Sequence, residues 1–208
     1  MLTVEEIISL FEILVDDSTE LSSAEELALL NRVYKKILND RPWEILKKEY
    51  SNTTDGNNYL ALPSDFLYFL ENTGYTDNSF DNNDVSSPRA IYVADNPLKL
   101  INWSDRRQYT KNSGYCYVDM PNSRLYFCNT PDTGKTVSGD YYSKPVDLVA
   151  GESPLFTNHN EMIAYGMAVE DMAIQLFEKA RSYADQYNAR YNSYLQDLVY
   201  DNQQLLNY

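Results

Sequence analysis

Thr133-Gly134-Lys135-Thr136 sets a glycine, a lysine and a hydroxyl in the order that cradles phosphate in nucleotide-binding loops. That loop needs a further glycine five positions before Gly134, where this chain has Asn129, and a helix after it. Thr136 to Tyr142 reads instead as a strand, so a hairpin turn is expected. Asp77, Ser79, Asp81 and Asp84 carry oxygens of the kind that bind calcium. The EF-hand loop requires glycine at its sixth position and glutamate at its twelfth; the first is missing and Pro88 occupies the second, which leaves a solvated loop. His159 is the single histidine, which excludes a zinc site built on two imidazoles, and it reads as a residue at a helix start. Glu5-Glu6, Asp16-Asp17 and Glu25-Glu26 fall on different sides of helices or at helix ends, whereas acid–base partners must converge in one cleft. No Gly-x-Ser-x-Gly elbow exists. No catalytic residue, metal site or cofactor is expected, and the chain is not expected to be an enzyme.

Tyrosine remains, with 19 copies. Its ring is rigid and amphipathic, which suits contact surfaces between proteins. Tyr183, Tyr187, Tyr191 and Tyr194 are therefore read as interface residues. Two other readings stand beside this one: rings that fill a small core and its rim, or a platform that stacks sugars or bases.

The elements that must position these tyrosines follow from periodicity. From Met162 to Leu198 apolar and aromatic residues recur every three or four positions, with no proline and only Gly166 as a breaker. A continuous helix over Glu161–Tyr200 would be roughly 60 Å long. A compact chain of this size has a radius of gyration near ~17 Å, so the rod would project and seek another chain. Asn158 with Glu161 reads as the capping box that starts it. At the other end of the chain, Val4, Ile7, Ile8, Phe11 and Val15 form one helical stripe. Ser22 or Ser23, with Glu25 or Glu26 three residues on, caps a second helix whose buried face holds Leu27, Leu30, Tyr34, Ile37 and Leu38. Pro42 to Lys48 reads as a further turn.

Between these ends, glycine, asparagine and proline punctuate short runs rich in Tyr, Val and Ile. Strands are expected near Tyr59–Leu62, Ala90–Ala94, Leu98–Trp103, Tyr115–Asp119, Arg124–Cys128 and Thr136–Tyr142. The expected fold class is α+β: mainly an α-helical bundle from the terminal segments, with a small antiparallel β insertion and a long C-terminal helix. One domain is expected over 1–208, helical at 1–49 and 154–208 and β-rich at 50–153. Pairing about Met120–Ser123 sets Asp119 opposite Arg124 and Val118 opposite Leu125, which places Cys116 and Cys128 on opposite faces as free thiols.

Charge narrows the partners. With 31 acidic and 17 basic residues the net charge is −14. The densest basic clusters are Lys35-Lys36, Lys47-Lys48 and Arg106-Arg107, which form no stripe able to neutralise a run of phosphates. An acidic surface lets DNA pass nearby without sticking. No apolar run approaches a membrane span, and the start lacks the features of a secretory signal, so a cytoplasmic protein is expected.

Certain motifs follow a known order. Asn31-Arg32-Val33-Tyr34-Lys35-Lys36-Ile37-Leu38, then Arg41-Pro42-Trp43 and Leu46, then Tyr59-Leu60-Ala61-Leu62-Pro63-Ser64-Asp65-Phe66, resemble the amino-terminal half of head-to-tail connector (adaptor) proteins of tailed bacteriophages, including the tail-tubular type. Gly139-Asp140-Tyr141-Tyr142, Pro145 and Leu148 resemble their final strand and exit. Pro154-Leu155-Phe156 and Ile163-Ala164-Tyr165-Gly166 resemble the start of their closing helix.

The resemblance implies a structural virion protein of the neck or tail, assembled in the bacterial host cytoplasm. Its copies would form a ring, expected to be a dodecamer, between the portal protein and a downstream tail or neck ring protein. DNA would pass through the channel without specific binding. The segment Tyr194–Tyr208 would dock on the portal, with Leu195, Leu198, Leu205, Leu206, Tyr208 and the tyrosines as anchors. A tyrosine-rich carbohydrate-binding or general protein-interaction module is the alternative.

Overall fold

The computed structural model describes residues 1–15, 21–70, 91–94, 96–112, 114–175 and 180–206; at 172–175, 180–183, 205 and 206 it describes the backbone alone. The Asp77–Asp84 loop and Tyr208 lie outside the described residues. The chain divides into two compact units, Met1–Ile45 with Pro145–Tyr208, and Leu46–Lys144.

The first unit is helical: α1 (Val4–Leu14), α2 (Ser23–Asn39), α3 (Glu161–Gln175) and α4 (Ala180–Leu206). Both amino-terminal helices start on capping boxes, which satisfy N–H groups that a helix cannot bond internally. Ser22 and Glu25 form the expected one, the Ser22 N–H donating to Glu25 Oε2 at 2.8 Å. Thr3 and Glu6 form another that the sequence reading did not anticipate. Val4, Ile7 and Phe11 of α1, and Leu30, Val33, Tyr34, Ile37 and Leu38 of α2, are buried as the stripes require. Trp43 ends α2 by donating its indole N–H to the Ile37 carbonyl at 2.9 Å.

The expected C-terminal rod does not exist as one piece. α3 and α4 run antiparallel against each other: the Tyr165 ring lies 5.9 Å from that of Tyr187 and 5.8 Å from that of Tyr194. Nor does Asn158 cap α3 with Glu161; its amide reaches Asp201 of α4 at 3.5 Å. His159 precedes the helix with φ 62°, a left-handed turn uncommon outside glycine.

The second unit is built from eight strands: β1 (Lys47–Thr53), β2 (Tyr59–Ala61), β3 (Phe66–Phe69), β4 (Ile91–Val93), β5 (Asn96–Leu100), β6 (Tyr115–Asp119), β7 (Arg124–Phe127) and β8 (Thr136–Ser143). They form one sheet in the order β1-β8-β4-β5-β6-β7-β2, with β3 also on β8. The sheet curls into a nearly closed barrel. Tyr50 of β1, at one end of that order, donates its hydroxyl to the Ala61 carbonyl of β2 at the other end, at 3.2 Å. One core lies inside, including Leu60, Phe66, Ile91, Leu98, Cys116, Leu125 and Val137. This overturns the expected fold class. The chain is not mainly a helical bundle with a small β insertion, and one of its strand pairs, β5 with β6, is parallel.

Local expectations fare unevenly. The pairing about Met120–Ser123 has the expected register, Asp119 opposite Arg124 and Val118 opposite Leu125, and both cysteines are free. Trp103 belongs to a 3-10 turn, Trp103–Arg107, and not to a strand. Thr133-Gly134 is a turn, with Gly134 at φ 80°, but it joins no hairpin, because β8 pairs with β1, β3 and β4 and not with β7.

Candidate functional site

The tyrosine stripe of α4 is largely engaged inside its own unit. Tyr187 donates its hydroxyl to the Leu14 carbonyl at 2.6 Å, where α1 runs out of internal N–H donors for its last carbonyls. Tyr191 lies over Gly166 of α3. A Cβ at Gly166 would stand 2.6 Å from Val33 Cγ1 and 3.1 Å from Tyr191 Cε2, so the missing side chain is what lets α2, α3 and α4 meet there. Burial, and then Asp40 and Glu170, push the Tyr191 phenol above its ordinary pKa. Tyr194 packs on Tyr165 and on the His159 ring, 5.9 Å away. Leu198 is buried, Leu195 is half-buried, and Tyr200 is 61% exposed. The side chains of Tyr183, Leu205 and Leu206 are outside the described residues, as is all of Tyr208. Of the expected interface residues, then, Tyr187, Tyr191 and Tyr194 are engaged by α1, α3 and the turn before α3 in the same chain, and Leu198 is buried.

The order of motifs also acquires a physical meaning. Asn31 clamps Leu148 through both backbone groups: its amide donates to the carbonyl at 3.0 Å and its oxygen accepts from the N–H at 2.7 Å. Tyr34 accepts from the Leu155 N–H at 3.2 Å, and Lys35 pairs with Asp147 at 2.6 Å. Arg32 and Lys36 both reach Glu170 of α3, at 2.6 and 3.3 Å. One turn and a half of α2 thus fastens the strap 147–155 on one side and α3 on the other. In the β unit Asp65 does similar work. Its carboxylate accepts from Lys48 Nζ at 2.5 Å and from the Tyr141 hydroxyl at 3.0 Å. The Asp65 carbonyl takes the Lys144 N–H at 2.7 Å. The Lys48 bond holds the Asp65 carboxyl below its ordinary range, while burial and then Asp65 push the Tyr141 phenol to about 12.

A second tyrosine surface was not read from the sequence, although the strand pairing already implied it. Tyr59, Tyr126 and Tyr117 lie directly opposite one another across β2, β7 and β6. Their strand neighbours Leu60, Leu125 and Cys116 fill the core, so the three rings stand on the outer face. Tyr117 and Tyr126 stack at 5.3 Å and 4°, and Tyr59 follows at 5.4 Å. Arg124 lies over Tyr59, its Cζ 4.1 Å from the ring centre, and Arg106 lies 3.2 Å over Trp103.

Among the described residues no three His, Cys, Asp or Glu gather as a metal site, and no helix is long and apolar enough to cross a membrane. At a significant level no curated protein sequence matches the chain. A family model described as SU10 adaptor protein matches residues 2–207. That match takes in the α2 motif, the Asp65 joint, the β8 exit and the start of α3 together. The chain belongs to the SU10 adaptor protein family.

Proposed function

We propose that the protein is a structural component of a phage virion whose copies form an adaptor ring between the portal and the tail, extending the DNA channel and docking the next tail component. The single observation that carries this reading is the family match across nearly the whole chain. The adaptor family is a structural one, which supports a structural role. The net charge of −14 supports a channel wall that repels phosphate and lets the genome slide. A subunit with two different faces closes a ring by head-to-tail contact.

The docking segment on this reading is the end of α4, where Tyr200 is exposed and Leu205, Leu206 and Tyr208 follow. Tyr187, Tyr191 and Leu198 serve a different purpose, fixing α4 against α1 and α3 so that its end is presented in one orientation. The test is electron microscopy of the purified protein mixed with the portal ring of the same phage. A collar of added density on the portal is expected, and it should vanish when residues 201–208 are deleted. A protein that stays monomeric with the portal present overturns the ring reading.

A further inference from the structure

We propose that the outer face of β6, β7 and β2 is the surface through which one copy grips the acidic helical unit of the next copy in the ring. The inference rests on the ring reading and names the contact that would close it.

The chemistry of the face decides what it can hold. A platform for sugars or bases needs open ring faces. Here Tyr117 and Tyr126 occupy one face of each other, and Arg124 and Arg106 occupy one face each of Tyr59 and Trp103, which leaves less open ring, with Trp103 still 51% exposed. What the face offers outward is guanidinium N–H groups and tyrosine hydroxyls, a set of donors. Each guanidinium has five N–H groups. Arg106 spends one on the Trp103 carbonyl at 2.6 Å, and Arg124 one on the Tyr126 hydroxyl at 3.4 Å. Asp119 stands opposite Arg124, but its Oδ2 accepts from Asn122 at 2.8 Å, and neither arginine forms an ion pair among the described residues. Arg107 is exposed beside them. Stacking on aromatic rings holds these guanidinium planes in place, so little side-chain freedom is lost when carboxylates bind in bidentate fashion.

The chain itself supplies the matching acceptors. Its helical unit, Met1–Ile45 with Pro145–Tyr208, holds 19 Asp and Glu against 7 Lys and Arg, a net −12. The β unit, Leu46–Lys144, holds 12 against 10, a net −2. Nearly all the net negative charge therefore sits on one unit, −12 of −14, and a fixed pair of stacked arginines sits on the other. A donor-rich face on one unit and an acceptor-rich surface on the other make a heterologous contact that each copy repeats with its neighbour. Nucleic acid is the poorer occupant, because phosphate would approach a molecule of net −14 with two or three cations to hold it.

The test compares wild type with R106E/R124E, and with R106Q/R124Q as a milder pair, in mass photometry on the portal ring of the same phage. Near-UV circular dichroism establishes that each variant keeps the wild-type fold. Wild type should load the portal with a full ring, while R106E/R124E should lose assembly by tenfold or more and R106Q/R124Q by less. If wild type and both folded variants load equally, this surface is overturned and the ring reading stands. If wild type itself fails to assemble, the ring reading and this surface fall together. An arginine-dependent gain of tyrosine fluorescence signal with a single-stranded oligonucleotide or a neutral oligosaccharide, with assembly unchanged, would assign the face to that ligand and overturn the proposal.

Discussion

Asp65 shows how one carboxylate holds a strand junction. It accepts from Lys48 and Tyr141 and sits at the head of β3, whose Phe66 packs on Phe69 and Tyr141 with centroids 4.7 and 5.6 Å apart. Because its folded pKa is lowered, its contribution is fully present above the unfolded carboxylate value and is lost as pH falls through the folded one. The window therefore opens below about pH 4. Lys48 is half-exposed and Asp65 a quarter exposed, so screening limits the neutral-pH effect to about 1 kcal/mol. D65N should thus cost about 1 kcal/mol at pH 7 in urea unfolding, and the difference from wild type should shrink toward acid pH. Tyr141 gives the opposite arm. Raised to about 12, it keeps the folded state neutral while the unfolded phenol ionises near ~10, so stability falls between those values. In D65N its tyrosinate absorbance should rise at lower pH than in wild type. A pH-independent difference would show that Asp65 acts by shape alone.

At the scale of elements, α2 is the fastening point of the helical unit. Its Asn31 side chain replaces the partners that a strand would have given Leu148, a residue on an irregular strap with 6% of its surface exposed. N31A would leave one N–H and one C=O buried without partners, at about 1–3 kcal/mol each. Thermal or urea unfolding should register a loss of about 2–4 kcal/mol, and N31D at pH 7, which keeps the acceptor for the Leu148 N–H but sets a buried carboxylate against the Leu148 carbonyl, should lose at least as much. An N31A protein as stable as wild type would mean that water takes over both bonds. The sheet illustrates why some elements escaped the sequence reading. β1 buries only Tyr50 and reads Lys-Lys-Glu-Tyr-Ser-Asn-Thr, so it shows no alternation. β3 buries Phe66 and Phe69, three apart, because the register shifts between Phe66 and Tyr68. Period two fails there for a stated cause.

The whole molecule is governed by its charge. At about 0.1 M salt the Debye length is about 10 Å, so repulsion between two chains of net −14 is already largely screened. On the proposed contact, what remains is short-range attraction at the arginine face. Raising salt toward about 1 M shortens the screening length to about 3 Å and should weaken association of copies on the portal. A purely apolar contact would hold or strengthen instead, and sedimentation across a salt series separates the two. This sign is a property of charge distribution between the two units, not of the sum.

Periodicity, caps and turns alone established that the chain has helical ends around a strand-rich middle, that Ser22 or Ser23 starts the second helix, and that Cys116 and Cys128 face opposite ways. These are local matters: each rests on residues within a few positions or on one short hairpin. The order of short motifs from Asn31 to Gly166 likewise pointed to the adaptor family, which the match over residues 2–207 bears out. Tertiary structure decided the rest. A 3.6-residue period runs the same through Glu161–Tyr200 whether the helix is one rod or two packed halves, and only contacts such as Tyr191 with Gly166 and Tyr165 with Tyr187 show which. Likewise, whether strands make a small insertion or a curled eight-stranded sheet depends on pairings such as β8 with β1, which bring together residues far apart in the chain that no local pattern records.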